Sequence, residues 1–143
     1  MRKDSYRVFI DTAPLIYFLD NNKKYKNIVK RKIEDILAND GEVVISPVTC
    51  MEYLTFPYRE ERSDCINKFW DFVKDLNVNV CAIDTVTAEM AARIRGEYIS
   101  FKGMDSLQLA CSLQNECDEF ITNDKQLMQF AEIEMVCVDS LSM

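Results

Sequence analysis

An apolar strand that runs straight into a helix start occurs twice in this chain, and that unit constrains the fold more than any other feature. Val8-Phe9-Ile10 is followed by Asp11, Thr12 and Pro14, and Val43-Val44-Ile45 by Ser46 and Pro47. Consecutive apolar residues, mostly β-branched, suit a strand covered on both faces of a parallel sheet, not an alternating, half-exposed one. Thr12 and Ser46 can cap helices, and Pro14 and Pro47 fit a first turn, where a missing N–H leaves no bond unmade. Passage from strand to helix without a hairpin turn implies βαβ units. Asp11 then stands at the carboxyl end of the first strand, the edge at which open α/β sheets bind ligands. It equally suits a plain helix start.

The remaining residues keep the alternation. Pro14 to Asp20 reads as a short helix, and Lys23 to Asn39 as a second with Ile28, Ile33, Ile36 and Leu37 on one face. Asp40-Gly41 is a turn. The helix opened by Ser46-Pro47 carries Glu52 and is expected to stop by Phe56-Pro57. Ser63 or Asp64 opens an amphipathic helix with Ile66, Phe69, Trp70, Val73 and Leu76 at helical spacing, Trp70 being expected in the core. Val78 to Ile83 is a third strand, and Asp84-Thr85 opens a helix to about Tyr98. Asp105 to Cys117 is helical, Glu119 to Thr122 a fourth strand, Asp124 to Ala131 a short helix and Met135 to Val138 a last strand. No linker, repeat or low-complexity run divides residues 1–143, which read as one α/β domain.

Composition matters here mainly for what it removes. There is no histidine among 143 residues, so Ser-His-Asp and Cys-His catalysis and every histidine metal ligand are excluded. Any enzyme built from this chain works with carboxylates, lysine, hydroxyls or an oxygen-liganded metal. The six cysteines show no C-x-x-C pair and sit mostly in apolar runs, as expected of reduced, buried thiols and not of a zinc site. No apolar run reaches a membrane span, and the basic start lacks a signal-peptide core, so a cytoplasmic location is expected. Net charge is -7, yet residues 1–32 carry nine Lys/Arg against three Asp. That basic stripe suits a phosphate-tracking surface, and it also suits a solvated helix face.

Placed on a parallel sheet, four acids fall on one rim. Asp11 follows the first strand, Glu52 lies in the second turn of the helix after the second strand, and Asp124 follows the fourth. Asp105 opens the helix that leads into the fourth strand, and such a helix starts at the strands' carboxyl edge. Each has an ordinary reading: Asp105 and Asp124 as N-caps, Glu52 as a surface residue. Together they would repel unless protonated or neutralised by a cation. Mg²⁺ or Mn²⁺, which prefer oxygen ligands, are the natural partners.

These stretches resemble the PIN domains, and within them the toxin ribonucleases of VapC type. The matching segments are Phe9-Ile-Asp-Thr-Ala-Pro-Leu-Ile16, Ser46-Pro-Val-Thr-Cys-Met-Glu-Tyr-Leu54, Asp105-Ser-Leu-Gln-Leu-Ala110 and Phe120-Ile-Thr-Asn-Asp124, in the family's order and across about the whole chain. Lys102-Gly103-Met104 departs from the more apolar approach that relatives often show before the third acid. The resemblance implies a five-stranded parallel sheet of order 3-2-1-4-5 flanked by helices. It also implies a catalytic and metal-binding set of Asp11, Glu52, Asp105 and Asp124, a strand-end hydroxyl at Thr122, and Mg²⁺- or Mn²⁺-dependent cleavage of single-stranded RNA. Thr12, Thr122, Lys23, Lys24 and Lys26 are the expected substrate contacts, the lysines together with the first residues of the chain. The partners implied are an antitoxin protein and a second copy of the chain. Tyr53-Leu54-Thr55-Phe56-Pro57-Tyr58 is a candidate contact surface, since one helix end cannot readily bury three rings. Two other functions compete. A receiver domain for phosphorylation would need paired acids after the first strand, where only Asp11 stands; a non-catalytic PIN-like interaction module would lack nuclease activity.

Overall fold

The computed structural model describes residues 5–141; Arg2 and Lys3, part of the basic start, lie outside the described residues. Five strands form one parallel sheet: β1 (Arg7–Ile10), β2 (Glu42–Ile45), β3 (Asn79–Val80), β4 (Glu119–Thr122) and β5 (Glu134–Cys137), in the order β3-β2-β1-β4-β5. This is the expected sheet. The helices are α1 (Thr12–Leu19), α2 (Lys26–Ala38), α3 (Pro47–Arg59), α4 (Ser63–Asp75), α5 (Thr85–Glu97) and α6 (Gly103–Gln114). Short 3₁₀ turns occupy Lys125–Gln129 and Val138–Ser140.

The central strand explains the two cores. Val8 and Ile10 point to one side, where they join Leu15, Val29, Ile33, Ile36, Tyr53, Phe69 and Phe72 from α1 to α4. Phe9 points to the other, with Ala91, Ile94, Leu109 and Cys111 from α5 and α6. All three strand residues are fully buried, as side chains alternating between two covered faces must be. The Phe9 and Phe120 rings stack across β1 and β4 with centroids 5.1 Å apart. At the opposite, amino-terminal edge, Lys32 pairs with Glu119 at 2.8 Å.

Several local expectations are corrected. Asp11, not Thr12, caps α1; Thr12 is its first residue. α3 does not stop at Phe56-Pro57 but continues to Arg59, because Pro57 is buried and the chain turns only at Glu61, with φ 54°. β3 is two residues long, since only Asn79 and Val80 pair with β2. The segment after Asp124 is a 3₁₀ turn, not an α-helix. Trp70 is 45% exposed: it meets Phe69 edge-on, while Phe69 and Phe72 fill the core. All six cysteines are free thiols, Cys81, Cys111 and Cys137 buried and the others half-buried, as expected.

Candidate active site

Both β1 and β2 end by feeding a capped helix, and the caps set the first two acids in place. The Asp11 carboxylate accepts the Thr12 N–H at 2.9 Å with Oδ1 and the Thr122 hydroxyl at 2.9 Å with Oδ2. Thr122, the last residue of β4, also accepts the Asp124 N–H at 3.1 Å, so one buried hydroxyl positions two of the acids. Asp124 in turn caps the 3₁₀ turn that follows, accepting the Gln126 N–H at 3.0 Å. On the second strand's side, the Thr12 hydroxyl donates to Glu52 Oε1 at 2.6 Å. Asp105 is not the N-cap of α6 but lies in its first turn; Lys102 holds the cap position without a side-chain bond.

A buried amide that sequence reasoning passed over braces this rim. Gln108 is 1% exposed and donates to Thr49 Oγ1 at 2.8 Å and to Thr12 Oγ1 at 3.4 Å, while the Ser46 hydroxyl donates to its Oε1. Ser46 simultaneously caps α3 through the Val48 N–H at 3.1 Å. The starts of α1 and α3 are thus both tied to α6. The available signal was a glutamine one helical turn after Asp105, inside the apolar run Leu107 to Cys111.

The four acids act on one another. Burial, then the hydrogen bonds from Thr122 and Thr12, then the charges of Asp105 and Glu52 bear on Asp11, and the net effect pushes its pKa up to about 6. Asp105 is also raised, first by burial and then by the charges of Asp124 and Glu52, with Lys102 acting in the opposite direction. Glu52, Asp105 and Asp124 line one open groove of about 680 Å³, shared with Arg95, Lys102, Met104 and Leu107. The expected four acids are brought together.

The expected substrate contacts are placed differently. Thr12 and Thr122 are buried and their hydroxyls donate to Glu52 and Asp11, which makes them positioning groups and not surfaces for a substrate. Lys26 turns away, its ammonium lying on Asn21 and the Phe18 carbonyl. Lys23 is exposed, and Lys24 lies over the Tyr25 ring, 5.1 Å from its centroid. Tyr25 stacks on Tyr17, which accepts a hydrogen bond from Asn123 beside Asp124.

A model of the PIN domain matches residues 8–133, which takes in all four acids and every strand up to β4. The chain belongs to the PIN domain family. No curated protein matches it by sequence. Its fold is similar to that of VapBC2 from Rickettsia felis bound to a promoter DNA fragment, with a TM-score of 0.75, 12% identity, and coverage of 90% of this chain and 96% of that one. It is also similar to a toxin-antitoxin complex from Klebsiella pneumoniae (TM-score 0.70, 21% identity, 92% and 97% covered). VapC20 of Mycobacterium tuberculosis, a toxin that cleaves the sarcin-ricin loop, aligns with a TM-score of 0.65 at 15% identity over 89% and 98% of the two chains. At such identities the likeness is one of fold.

The PIN fold raises the question of a divalent cation, and the donor set answers it. Among the described residues no three acidic or cysteine side chains are already disposed around one ion position. Mg²⁺ does not require that: it keeps several waters and takes one or two carboxylates plus substrate phosphates. The acids of the rim offer oxygen donors, and burial, joined by the charges of neighbouring carboxylates, raises the pKa of Asp11 and of Asp105. These residues fit a hard cation.

Proposed function

We propose that this PIN domain is a metal-dependent endoribonuclease that hydrolyses phosphodiester bonds of single-stranded RNA, acting in the cytoplasm as the toxin of a toxin-antitoxin pair. The observation that carries the reading is the set of Glu52, Asp105 and Asp124 along one open groove at the carboxyl edge of the sheet, with the buried Asp11 behind them close enough to feel the charges of Asp105 and Glu52. Asp11, Glu52, Asp105 and Asp124 would hold Mg²⁺ or Mn²⁺, which supplies charge neutralisation at the phosphodiester and lowers the pKa of a water. Thr122 and Thr12 hold the carboxylates of Asp11 and Glu52 in place, and Gln108 keeps Thr12 in position. With no histidine in the chain, one of the carboxylates takes the proton from the attacking water. The openness of the groove suits a polymer that enters from the side, not a small metabolite that must be enclosed.

The toxin assignment is supported by the company the fold keeps, since the Klebsiella pneumoniae structure is a toxin-antitoxin complex and VapC20 of Mycobacterium tuberculosis is a toxin. An antitoxin segment, or a second copy of the chain, would cover the outward rings of α3. The test is a purified-protein assay on a single-stranded RNA pool with Mg²⁺, Mn²⁺ or EDTA. Cleavage is expected with either metal and none in EDTA. A folded, metal-supplied protein that leaves RNA intact overturns the reading in favour of a non-catalytic interaction module.

A further inference from the structure

Two cations share the groove with the acids, and neither is tied up in an ion pair among the described residues, although the Lys102 charge is felt by Asp105. Arg95 projects from α5, and Lys102 stands just before α6; both are exposed. Neither comes within ion-pair distance of a carboxylate among the described residues, although Glu52, Asp105 and Asp124 line the same groove. Arg93, one turn face away on the same helix, shows the contrast. Its guanidinium is forked by Glu132 at 2.9 and 3.0 Å and also reaches Glu97 at 3.2 Å. Arg93 ties α5 to the approach to β5, whereas the Arg95 guanidinium lies on the groove wall beside Gly103 at the start of α6, 3.8 Å from where a Cβ on that glycine would stand.

A polyanion entering a groove lined with carboxylates is repelled unless fixed positive charge lies close by. Lys23 and Lys24 sit in the α1–α2 connection, and Lys26 is engaged elsewhere, so the groove wall itself has only Arg95 and Lys102 to offer. Arginine presents a planar fork suited to a phosphate, and lysine a mobile point charge. Resting on the ribonuclease reading above, we infer that Arg95 and Lys102 grip consecutive phosphates of the RNA strand on the α5–α6 side of the bond to be cut. The strand is thereby held across the acids, and the register of cleavage is set by these two contacts.

The experiment measures binding of a fluorescent single-stranded RNA oligonucleotide by the Asp11→Asn protein in Mg²⁺ as KCl is varied. Arg95→Gln and Lys102→Gln are added together, Arg95→Lys and Arg93→Gln separately, and each protein is melted to verify its fold. Each lost phosphate contact flattens a plot of log K against log salt by about 0.7 for single strands, so the double variant is expected to lose about 1.4 from its slope. Arg95→Lys keeps the slope, and Arg93→Gln leaves it untouched. In the otherwise wild-type enzyme the double substitution raises KM more than it lowers kcat. An unchanged slope in a protein that binds and cleaves RNA overturns the assignment and leaves the ribonuclease standing. If Asp11→Asn binds no RNA and the wild type cleaves none, both fall.

Discussion

Asp11 is held in place by bonds that favour its charged form and surrounded by groups that oppose it, and burial decides the balance in favour of the proton. An acid whose folded pKa is raised binds its proton more tightly when folded. Its contribution to stability is therefore best at low pH and is lost as pH rises from 3.8 through about 6. In EDTA, thermal melting of the wild type should decline across that window, and Asp11→Asn should flatten the decline. At pH 7 the variant should gain about 1–2 kcal/mol, less than the full electrostatic relief, because an amide cannot accept from both Thr12 and Thr122. Added Mn²⁺ should raise the melting temperature of the wild type and not of the variant, and cleavage should be abolished. Unaltered cleavage by Asp11→Asn removes the residue from the mechanism. Gln108 is a separate case. Gln108→Leu leaves Ser46 and Thr49 without their buried partner and should cost about 1–3 kcal/mol in a denaturant titration. It should also lower kcat by loosening Thr12 and, through it, Glu52.

The α3 helix joins the site to the outer surface. Its first turns carry Ser46's cap, Thr49 and Glu52; its last turn carries Phe56 and Tyr58, 61% and 65% exposed, while Tyr53 is buried against Phe69. Part of the aromatic run therefore faces outward, as one helix end with a single buried side requires. Phe56→Ser with Tyr58→Ser should abolish self-association or antitoxin binding in sedimentation while leaving the melting temperature unchanged. A large fall in melting temperature would assign both rings to the core. The α2–β2 turn is constrained in another way. A Cβ on Gly41 would lie 2.7 Å from the Ile36 carbonyl oxygen and 2.9 Å from the Tyr6 ring, and the oxygen belongs to backbone that cannot move alone. Gly41→Ala should destabilise by about 1–3 kcal/mol, readable in a urea midpoint, with no effect on RNA binding.

The sheet order places the site. β1 lies between β2 and β4, and the chain reverses its direction of progress across the sheet at that pair, leaving a crevice at the carboxyl ends. Asp11 leaves β1 and Asp124 follows β4, so the acids meet at the crevice although they are far apart in sequence. The charge of the protein is as divided as its faces: the net is -7, but the basic residues concentrate in the first 32. Lys23→Ser with Lys24→Ser should weaken RNA binding and flatten its salt dependence, because the α1–α2 connection leans on Tyr25 toward Asn123 and the rim. Lys26→Ser should add little, its ammonium being held by Asn21 and Phe18. A salt slope unmoved by the first two changes would make the stretch a solvated helix end.

The strand-into-helix units, the buried central strands and the meeting of four acids at one edge were legible in the sequence, because apolar runs, caps and the geometry of parallel crossovers are local or topological properties. Helix ends were less so: Pro57 reads as a stop, yet its burial in the packed α3–α4 layer lets the helix continue. Burial also decided Trp70, since helical spacing shows which residues share a stripe but not which edge of it meets the core. What the hydroxyls do could come only from the tertiary structure. Thr12 and Thr122 look available to a substrate until Glu52 and Asp11, 40 and 111 residues away, are found accepting their protons. The same holds for Gln108, Arg95 and Lys102. A glutamine is a brace, and a cation free, only when the partners that other elements bring, or fail to bring, are known.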